Sequence, residues 1–264
     1  MSVKRLDVEI VERGLAKSRE RAKEYIQKGS VLVNGKTVTK PSFAVNCDDD
    51  VKVIGETLKY VGRGGLKMEA AVNTFELNLN GMTCVDLGAS TGGFTDCMLK
   101  NGAVKVYAID VGHGQLDDKL VCDERVVNLE GINVKDVTSE TVGEKIDLVT
   151  ADLSFISCRY AFDAASRLLE DGGIAVVLIK PQFEAGRSNI AKGGIVKDKK
   201  AHVSVLADVC EYIGVCGFSI INLIPSPIHG GDGNIEYLVC TVKRNSFTNY
   251  NVDYKAVIDT AFSK

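Results

Sequence analysis

The chain has 264 residues, 45% hydrophobic and 25% charged, with a net charge of −3; this is an ordinary globular composition, with room for one large domain or for a small and a medium one. No run approaches the roughly 20 apolar residues that a membrane helix needs, and the N-terminus MSVKRLDVEI lacks the apolar stretch of a secretory signal, so a cytoplasmic protein is expected. Residues 1–40 hold ten Lys/Arg against five Asp/Glu, leaving −8 for the remainder; a basic front on an acidic body suits a polyanionic partner.

Residues 4–14 have the spacing of a short amphipathic helix, with Leu6, Ile10, Val11 and Leu15 facing a core and Gly14 at its end. A second helix is expected from the N-cap Ser18 to Gly29, basic through Arg19, Arg21, Lys23 and Lys28, with Ala22, Tyr25 and Ile26 turned inward. VLVNGKTV then reads as a hairpin, because Asn34 and Gly35 both tolerate positive φ. The acidic turn Asp48-Asp49-Asp50 leads to a last short strand, VKVIG. Two helices followed by strands make a small α+β module.

From Arg5-Leu6-Asp7 through Ser18-Arg19, Ala22, Ile26, Gly29, Val31 and Val33-Asn34-Gly35-Lys36, this module resembles the S4 RNA-binding domain. The resemblance implies that Arg5, Ser18, Arg19, Arg21, Lys23 and Lys36 contact structured RNA through its phosphates. On charge alone a solvated helix face would be the preferred reading; the motif reverses that preference.

Beyond Gly62 a helix-like GLKMEAAVNTF precedes seven β-prone runs: TCVDLGA, VKVYAIDV, RVVNLE, KIDLVTADLSF, IAVVLIKP, SIINLI and IEYLVCTVK. Helical segments at 91–101, 160–170 and 198–214 separate most of them, the alternation of a doubly wound, mostly parallel seven-stranded Rossmann-like α/β sheet. The last two runs lack a long helix between them, so an antiparallel final strand is expected. The expected organisation is an S4-like domain over 1–58, a linker at 59–62, a catalytic domain over 63–245 and a tail over 246–264, a polar connector plus a short helix in which no chemistry is read.

The first run ends in Asp86-Leu-Gly88-Ala89-Ser90-Thr-Gly92-Gly93-Phe94, a glycine-rich turn from strand to helix that lets a ligand approach the backbone. It lacks the GxGxxG of a dinucleotide fold. Asp86 at its start would repel a pyrophosphate but could face a ligand's ammonium group. Asp110 ends the next strand 22 residues after Gly88, placed for ribose hydroxyls. S-adenosylmethionine fits this pattern, with an NAD enzyme as the rival; Asp152, ending the fourth run, is counted with the cofactor residues.

Asp152 and Lys180 end apolar strands, where an open α/β sheet places its active site. A lysine there is costly unless its charge is paired or used, and a structural Lys–Asp pair is the alternative to catalysis. With Lys67 in RGGLK and Glu236 in HGGDGNIEY, the ordered Lys67, Asp152, Lys180 and Glu236 resemble the catalytic tetrad of FtsJ-like ribose 2′-O-methyltransferases. The phrases DLGASTGGFTD, DVGHGQL, ADLSFIS, IKPQFE and GNIEY, joined to the S4-like front, are similar to the TlyA family, also named haemolysin A. That resemblance implies 2′-O-methylation of cytidine in ribosomal RNA within ribosomal subunits, by a monomer without a metal or a membrane anchor. A non-catalytic RNA-binding assembly factor and a haemolysin are the competing readings. Lys180 is expected to act as general base or as electrostatic clamp, a choice the sequence leaves open. Phe155, Gln182 and Phe183 lie beside the tetrad without an assigned role, and His113 stands where an aromatic such as Tyr is expected.

Amine methylation normally shows an Asn/Asp-Pro-Pro-aromatic segment where ADLSFIS stands, and base C5 methylation a Pro-Cys, which does not occur. Cys84, Cys122 and Cys240 lie in or beside apolar runs, Cys97 falls on a helix, and no CxxC spacing suggests zinc, so free buried thiols are expected. Cys158 is read as structural rather than nucleophilic, and His202 and His229 as solvated or loop residues.

Overall fold

The computed structural model describes residues 3–16, 18–27, 29–53, 59–186, 194–230, 233–244 and 252–263. Lys28 of the expected basic helix, the end of the VKVIG strand, Gly231 and Asp232 of the loop before Glu236, and residues 246–251 of the tail lie outside them. The chain divides into two units, Met1–Leu58 and Lys59–Lys264.

In the first unit β1 (Lys4–Arg5) leads into α1 (Leu6–Glu12), followed by α2 (Arg19–Gln27), β2 (Val31–Val33), β3 (Lys36–Thr37), β4 (Ala44–Val45) and β5 (Val51–Val53). β2 pairs antiparallel with β3 and β5, and β1 with β4. Asn34 and Gly35 both take positive φ, 50° and 76°, as the Asn-Gly hairpin requires. Leu6, Ile10, Ala22 and Ile26 are fully buried where α1 packs on α2, with Val11 and Tyr25 partly covered beside them. Leu15 departs from the expectation: α1 ends at Glu12, and Leu15 is exposed beyond it.

The second unit opens on α3 (Gly64–Thr74), then β6 (Thr83–Leu87), α4 (Gly93–Lys100), β7 (Lys105–Asp110), α5 (Asp118–Val121), β8 (Val126–Glu130), α6 (Ser139–Val142), β9 (Ile146–Ala151), α7 (Arg159–Leu168), β10 (Leu169–Ile179), α8 (Pro181–Glu184), α9 (Lys199–Val215), β11 (Phe218–Pro225), β12 (Tyr237–Lys243) and α10 (Tyr254–Phe262). One seven-stranded sheet has the order β11-β12-β10-β9-β6-β7-β8. Its strands pair in parallel except β12, which runs antiparallel between β10 and β11. The chain winds outward from β6 through β7 to β8, then returns to place β9 on the other side of β6. The β6/β9 boundary is therefore the switch point of the sheet, where the loops after both strands part and leave a crevice. Both sheet faces are covered, and β-branched and small apolar residues such as Val85, Val149, Val177 and Val239 are fully buried.

Two parts of the second unit, residues 59–62 and His202, depart from the sequence reading. Residues 59–62, expected as linker, belong to this unit: Tyr60 is buried, the Val61 N–H donates to Asp96 Oδ2 at 2.8 Å, and a Cβ on Gly62 would lie 2.5 Å from Thr91 Oγ1. The short helix expected in the tail is α10, whose Ile258 and Ala261 join the core. His202 is fully buried rather than solvated; α10 lays Phe262 against its ring, with centroids 5.1 Å apart. Its Nε2–H donates to the Val196 carbonyl at 3.0 Å, which leaves Nδ1 to accept from Tyr237 Oη at 2.7 Å. Burial lowers the pKa of this ring below its ordinary value. His229 is exposed in its loop. Among the cysteines, all free, Cys84, Cys97, Cys158 and Cys240 are buried, while Cys122 caps the end of α5 and is exposed, as is Cys47.

Candidate active site

The glycine turn after β6 is built around Asp86. This carboxylate is only 1% exposed. Its Oδ2 accepts the Thr95 N–H at 3.0 Å and the Thr95 hydroxyl at 2.7 Å, and its Oδ1 accepts the Thr150 hydroxyl at 3.1 Å. Asp86 thus ties the first turn of α4 to β9. Burial raises its pKa to about 6 against the opposing pull of these hydrogen bonds.

The turn itself divides into two parts. Gly88 and Ser90 remain accessible, both with positive φ (76° and 48°), and a Cβ on Gly88 would lie 3.0 Å from the backbone oxygen of Asp152. Ala89, Gly92, Gly93 and Phe94 are covered by protein. A Cβ on Gly93 would lie 2.8 Å from Gly65 N, and one on Gly92 2.2 Å from Leu120 Cδ1, so these two glycines serve the packing of α3 and α5 around α4. Asp110, half-buried at the end of β7, accepts the Ser90 N–H at 2.8 Å on one oxygen and the Gly112 N–H at 2.8 Å on the other. A carboxylate has about four acceptor sites, so hydroxyl donors can still be received. His113 packs beside Gly131, where an added Cβ would lie 2.8 Å from its Nε2.

Across the crevice four charged side chains form one chain of contacts. Lys180 Nζ lies 2.6 Å from Asp152 Oδ1; Asp152 Oδ2 lies 3.3 Å from Lys67 Nζ; Lys67 Nζ lies 2.7 Å from Glu236 Oε2. Lys67, Lys180 and Glu236 are all buried. The topology explains the convergence. Asp152 follows β9 and Lys180 follows β10, a parallel pair, while Glu236 precedes β12, whose antiparallel register sets Tyr237 opposite Ile179. Lys67 comes from the first turns of α3. A Cβ on Gly230 would lie 2.6 Å from Glu236 Oε1, so the loop before β12 passes close over that carboxylate.

The charges sum to zero, yet they are unevenly compensated. Burial works against the Lys67 ammonium, but Asp152 and Glu236 outweigh it and raise the pKa. Burial also works against the Asp152 carboxylate, which Lys67 and Lys180 hold below the usual range. Lys67 thus has two carboxylates. Lys180 has one, and donates in addition to the neutral Ser154 hydroxyl at 2.9 Å.

Phe183 stands beside Lys180 and in turn meets Phe155. Phe155 is 87% exposed with φ of 65°, and its centroid is 5.3 Å from that of Phe183. Lys180 Nζ lies 5.8 Å from the Phe183 centroid. A nearly bare aromatic held in left-handed backbone costs of order 1–3 kcal/mol, and such strain clusters at working sites. Its only sequence signal was adjacency to Asp152. Cys158 is buried beneath this loop, and burial pushes its thiol well above the ordinary range, which removes it as a nucleophile.

In the first unit, Asp7 is fully buried and draws Arg5 Nε to 2.9 Å and Arg19 to 2.9 Å. Arg21 reaches Glu24 at 3.4 Å and lies over the Tyr25 ring. Lys23 is half-buried and Lys36 exposed on β3. The Ser18 hydroxyl accepts the Arg21 N–H at 3.2 Å, the contact of an N-cap.

A switch-point crevice bordered by a glycine turn and a largely buried Lys–Asp–Lys–Glu chain defines a Rossmann-like methyltransferase. The FtsJ-like methyltransferase family model matches residues 60–243, and the S4 domain model matches residues 4–51. Hemolysin A of Brachyspira hyodysenteriae is 43% identical over 89% of this chain and 98% of its own length. The 16S/23S rRNA (cytidine-2′-O)-methyltransferase TlyA of Mycobacterium tuberculosis is 39% identical over 89% of this chain and 88% of its own. A solved Streptococcus thermophilus chain bearing a hemolysin name is 41% identical, with a TM-score of 0.81 over 100% of this chain and 97% of that one. The protein belongs to the TlyA family of S4-domain, FtsJ-like methyltransferases.

Proposed function

We propose that the enzyme transfers a methyl group from S-adenosylmethionine to the 2′-hydroxyl of a cytidine in ribosomal RNA. The observation that carries this reading is the charge-balanced Lys67–Asp152–Lys180–Glu236 chain, three of its four members buried, at the switch point of the sheet. The residues present fit such a donor. Asp110 has acceptor capacity for ribose hydroxyls, the accessible Gly88 and Ser90 admit a ligand to the backbone, and Asp86 holds the turn from beneath. When bound, S-adenosylmethionine supplies an electrophilic sulfonium methyl.

The protein's own part is alignment and charge. Orientation alone can supply roughly 7–11 kcal/mol of a barrier. Lys67, with two carboxylates, is a fixed cation that anchors Asp152 and Glu236. Lys180, with one carboxylate and a hydroxyl, is the cation less fully compensated; it faces the negative charge that grows on the ribose oxygen as the hydroxyl proton is released to solvent and the methyl is taken up. Phe155 offers a face on which an unstacked base can rest. Arg5, Arg19, Arg21, Lys23 and Lys36 supply phosphate contacts, and Ser18 supports them by capping α2.

Labelled methyl transfer from S-adenosylmethionine into ribosomal RNA, with mapping of alkali-resistant riboses, tests the proposal. Lys180→Met should reduce transfer by about a thousandfold, within the usual range for proton-transfer and charge-stabilising groups, with donor affinity kept. Full transfer by this variant would overturn the catalytic assignment. Wild-type binding of RNA without transfer would favour an assembly factor instead.

A further inference from the structure

The two loops that carry Asp152 and Lys180 are joined by a residue outside the tetrad. Glu184, at the end of α8, accepts the Ser157 hydroxyl at 2.7 Å on Oε2 and the Cys158 N–H at 2.7 Å on Oε1. At the other end of the same loop, Lys180 donates to Ser154 at 2.9 Å. Between these ties the loop carries the strained, exposed Phe155 against Phe183. Leu153 and Cys158 are buried at its two ends, whereas Ser154 and Phe155 are exposed, so apolar packing anchors the flanks and not the working residues.

We propose that Glu184 is a positioning residue for methyl transfer, clamping the loop 153–158 onto the turn after β10 so that Ser154 meets Lys180 and Phe155 faces the substrate. The inference deepens the proposed function and rests on it for its kinetic readout. Left-handed φ at a phenylalanine does not persist unless its surroundings impose it. A carboxylate receiving two hydrogen bonds from adjacent residues, one of them a backbone N–H, is such a restraint, and hydrogen bonds to charged groups are the stronger kind. Glu184 touches neither the tetrad nor the glycine turn in these contacts, so its removal should loosen the loop and spare the donor site.

Glu184→Ala and Glu184→Gln separate positioning from mere stability. Glutamine can still accept the Cys158 N–H through its oxygen and donate to the Ser157 hydroxyl through its amide. In the full-length enzyme, Glu184→Ala should speed amide hydrogen exchange across residues 153–160. It should also lower kcat by about 10- to 100-fold, the cost of misplacing a reacting group by an ångström or less, with S-adenosylmethionine affinity unchanged. Glu184→Gln should restore both the exchange protection and most of kcat. Wild-type kcat in Glu184→Ala, unchanged exchange, or a Glu184→Gln variant as impaired as the alanine would each overturn the proposal. If the wild-type enzyme methylates no ribose, the proposed function fails, and the exchange comparison alone decides the clamp.

Discussion

Replacing Asp86 by Asn separates a structural carboxylate from one that faces the methyl donor. Asp86 is buried, accepts three hydrogen bonds, and has its pKa raised by burial from an ordinary 3.8 to about 6. At about 1.4 kcal/mol per tenfold change, that difference corresponds to about 3 kcal/mol. Because the folded value is the higher one, the contribution is fully present below pH 3.8 and is lost as pH rises through about 6. At neutral pH the fold carries a buried charge that three hydrogen bonds only partly offset. Asn can keep the Thr95 contacts through its oxygen and donate to the Thr150 hydroxyl, which can turn to the Val85 carbonyl, already 3.3 Å away. Asp86→Asn should therefore be as stable as wild type or more so at pH 7.5. Between there and pH 4, wild type should gain about 2.5 kcal/mol relative to the variant. Denaturant unfolding followed by circular dichroism, scored on the transition of the larger unit, measures this. Parallel stability curves for the two proteins would refute the argument. Donor affinity supplies the second arm: if Asp86 met the ammonium group directly, Asp86→Asn would lose binding, whereas a scaffold carboxylate predicts affinity close to wild type.

Phe155→Ala should weaken RNA engagement about tenfold, within the range for one base–aromatic stack, and leave donor affinity intact. Because the chain has no tryptophan, Phe155→Trp places a single fluorophore there; it should keep transfer activity and be quenched by RNA, and an unresponsive signal would remove the stacking role. In the first unit, Lys36→Ala should lower the salt dependence of RNA binding by about one charge. Ser18→Ala should instead cost about 1 kcal/mol of stability through lost capping and leave that slope unchanged, as filter binding across a salt series would reveal. Asp7, whose desolvation is outweighed by hydrogen bonds from Arg5 and Arg19, has its pKa lowered. Its contribution is thus present above the ordinary carboxylate range and lost as pH falls through the depressed value, so Asp7→Asn should flatten the acid side of the unit's stability profile.

The sheet was legible because its strands are apolar on both faces and end in polar residues, a pattern without a helical counterpart. The helices of the first unit were legible from spacing, and its hairpin from Asn34-Gly35. Sequence failed where tertiary packing recruits segments with weak local character. Tyr60 to Gly62 look like a linker because glycine and charged residues surround them, yet Tyr60 fills a core position. His202 looks solvated because Lys199 and Lys200 precede it, but on α9 it falls on the inward face and finds Tyr237 and Phe262 there.

The site shows the same division between identity and connection. Polar residues at the ends of apolar strands could be picked out one by one, because burying them without a use is costly. Which group serves which partner depends on register, and register lies beyond any local pattern. Asp86 and Asp110 both lie near strand ends beside one glycine turn, and only their contacts tell them apart: Asp86 spends its oxygens on Thr95 and Thr150 inside the protein, while the half-buried Asp110 can receive further donors. Lys67 and Lys180 likewise differ by a single carboxylate. That difference distinguishes a cation anchored within the fold from one that can answer charge developing on the substrate.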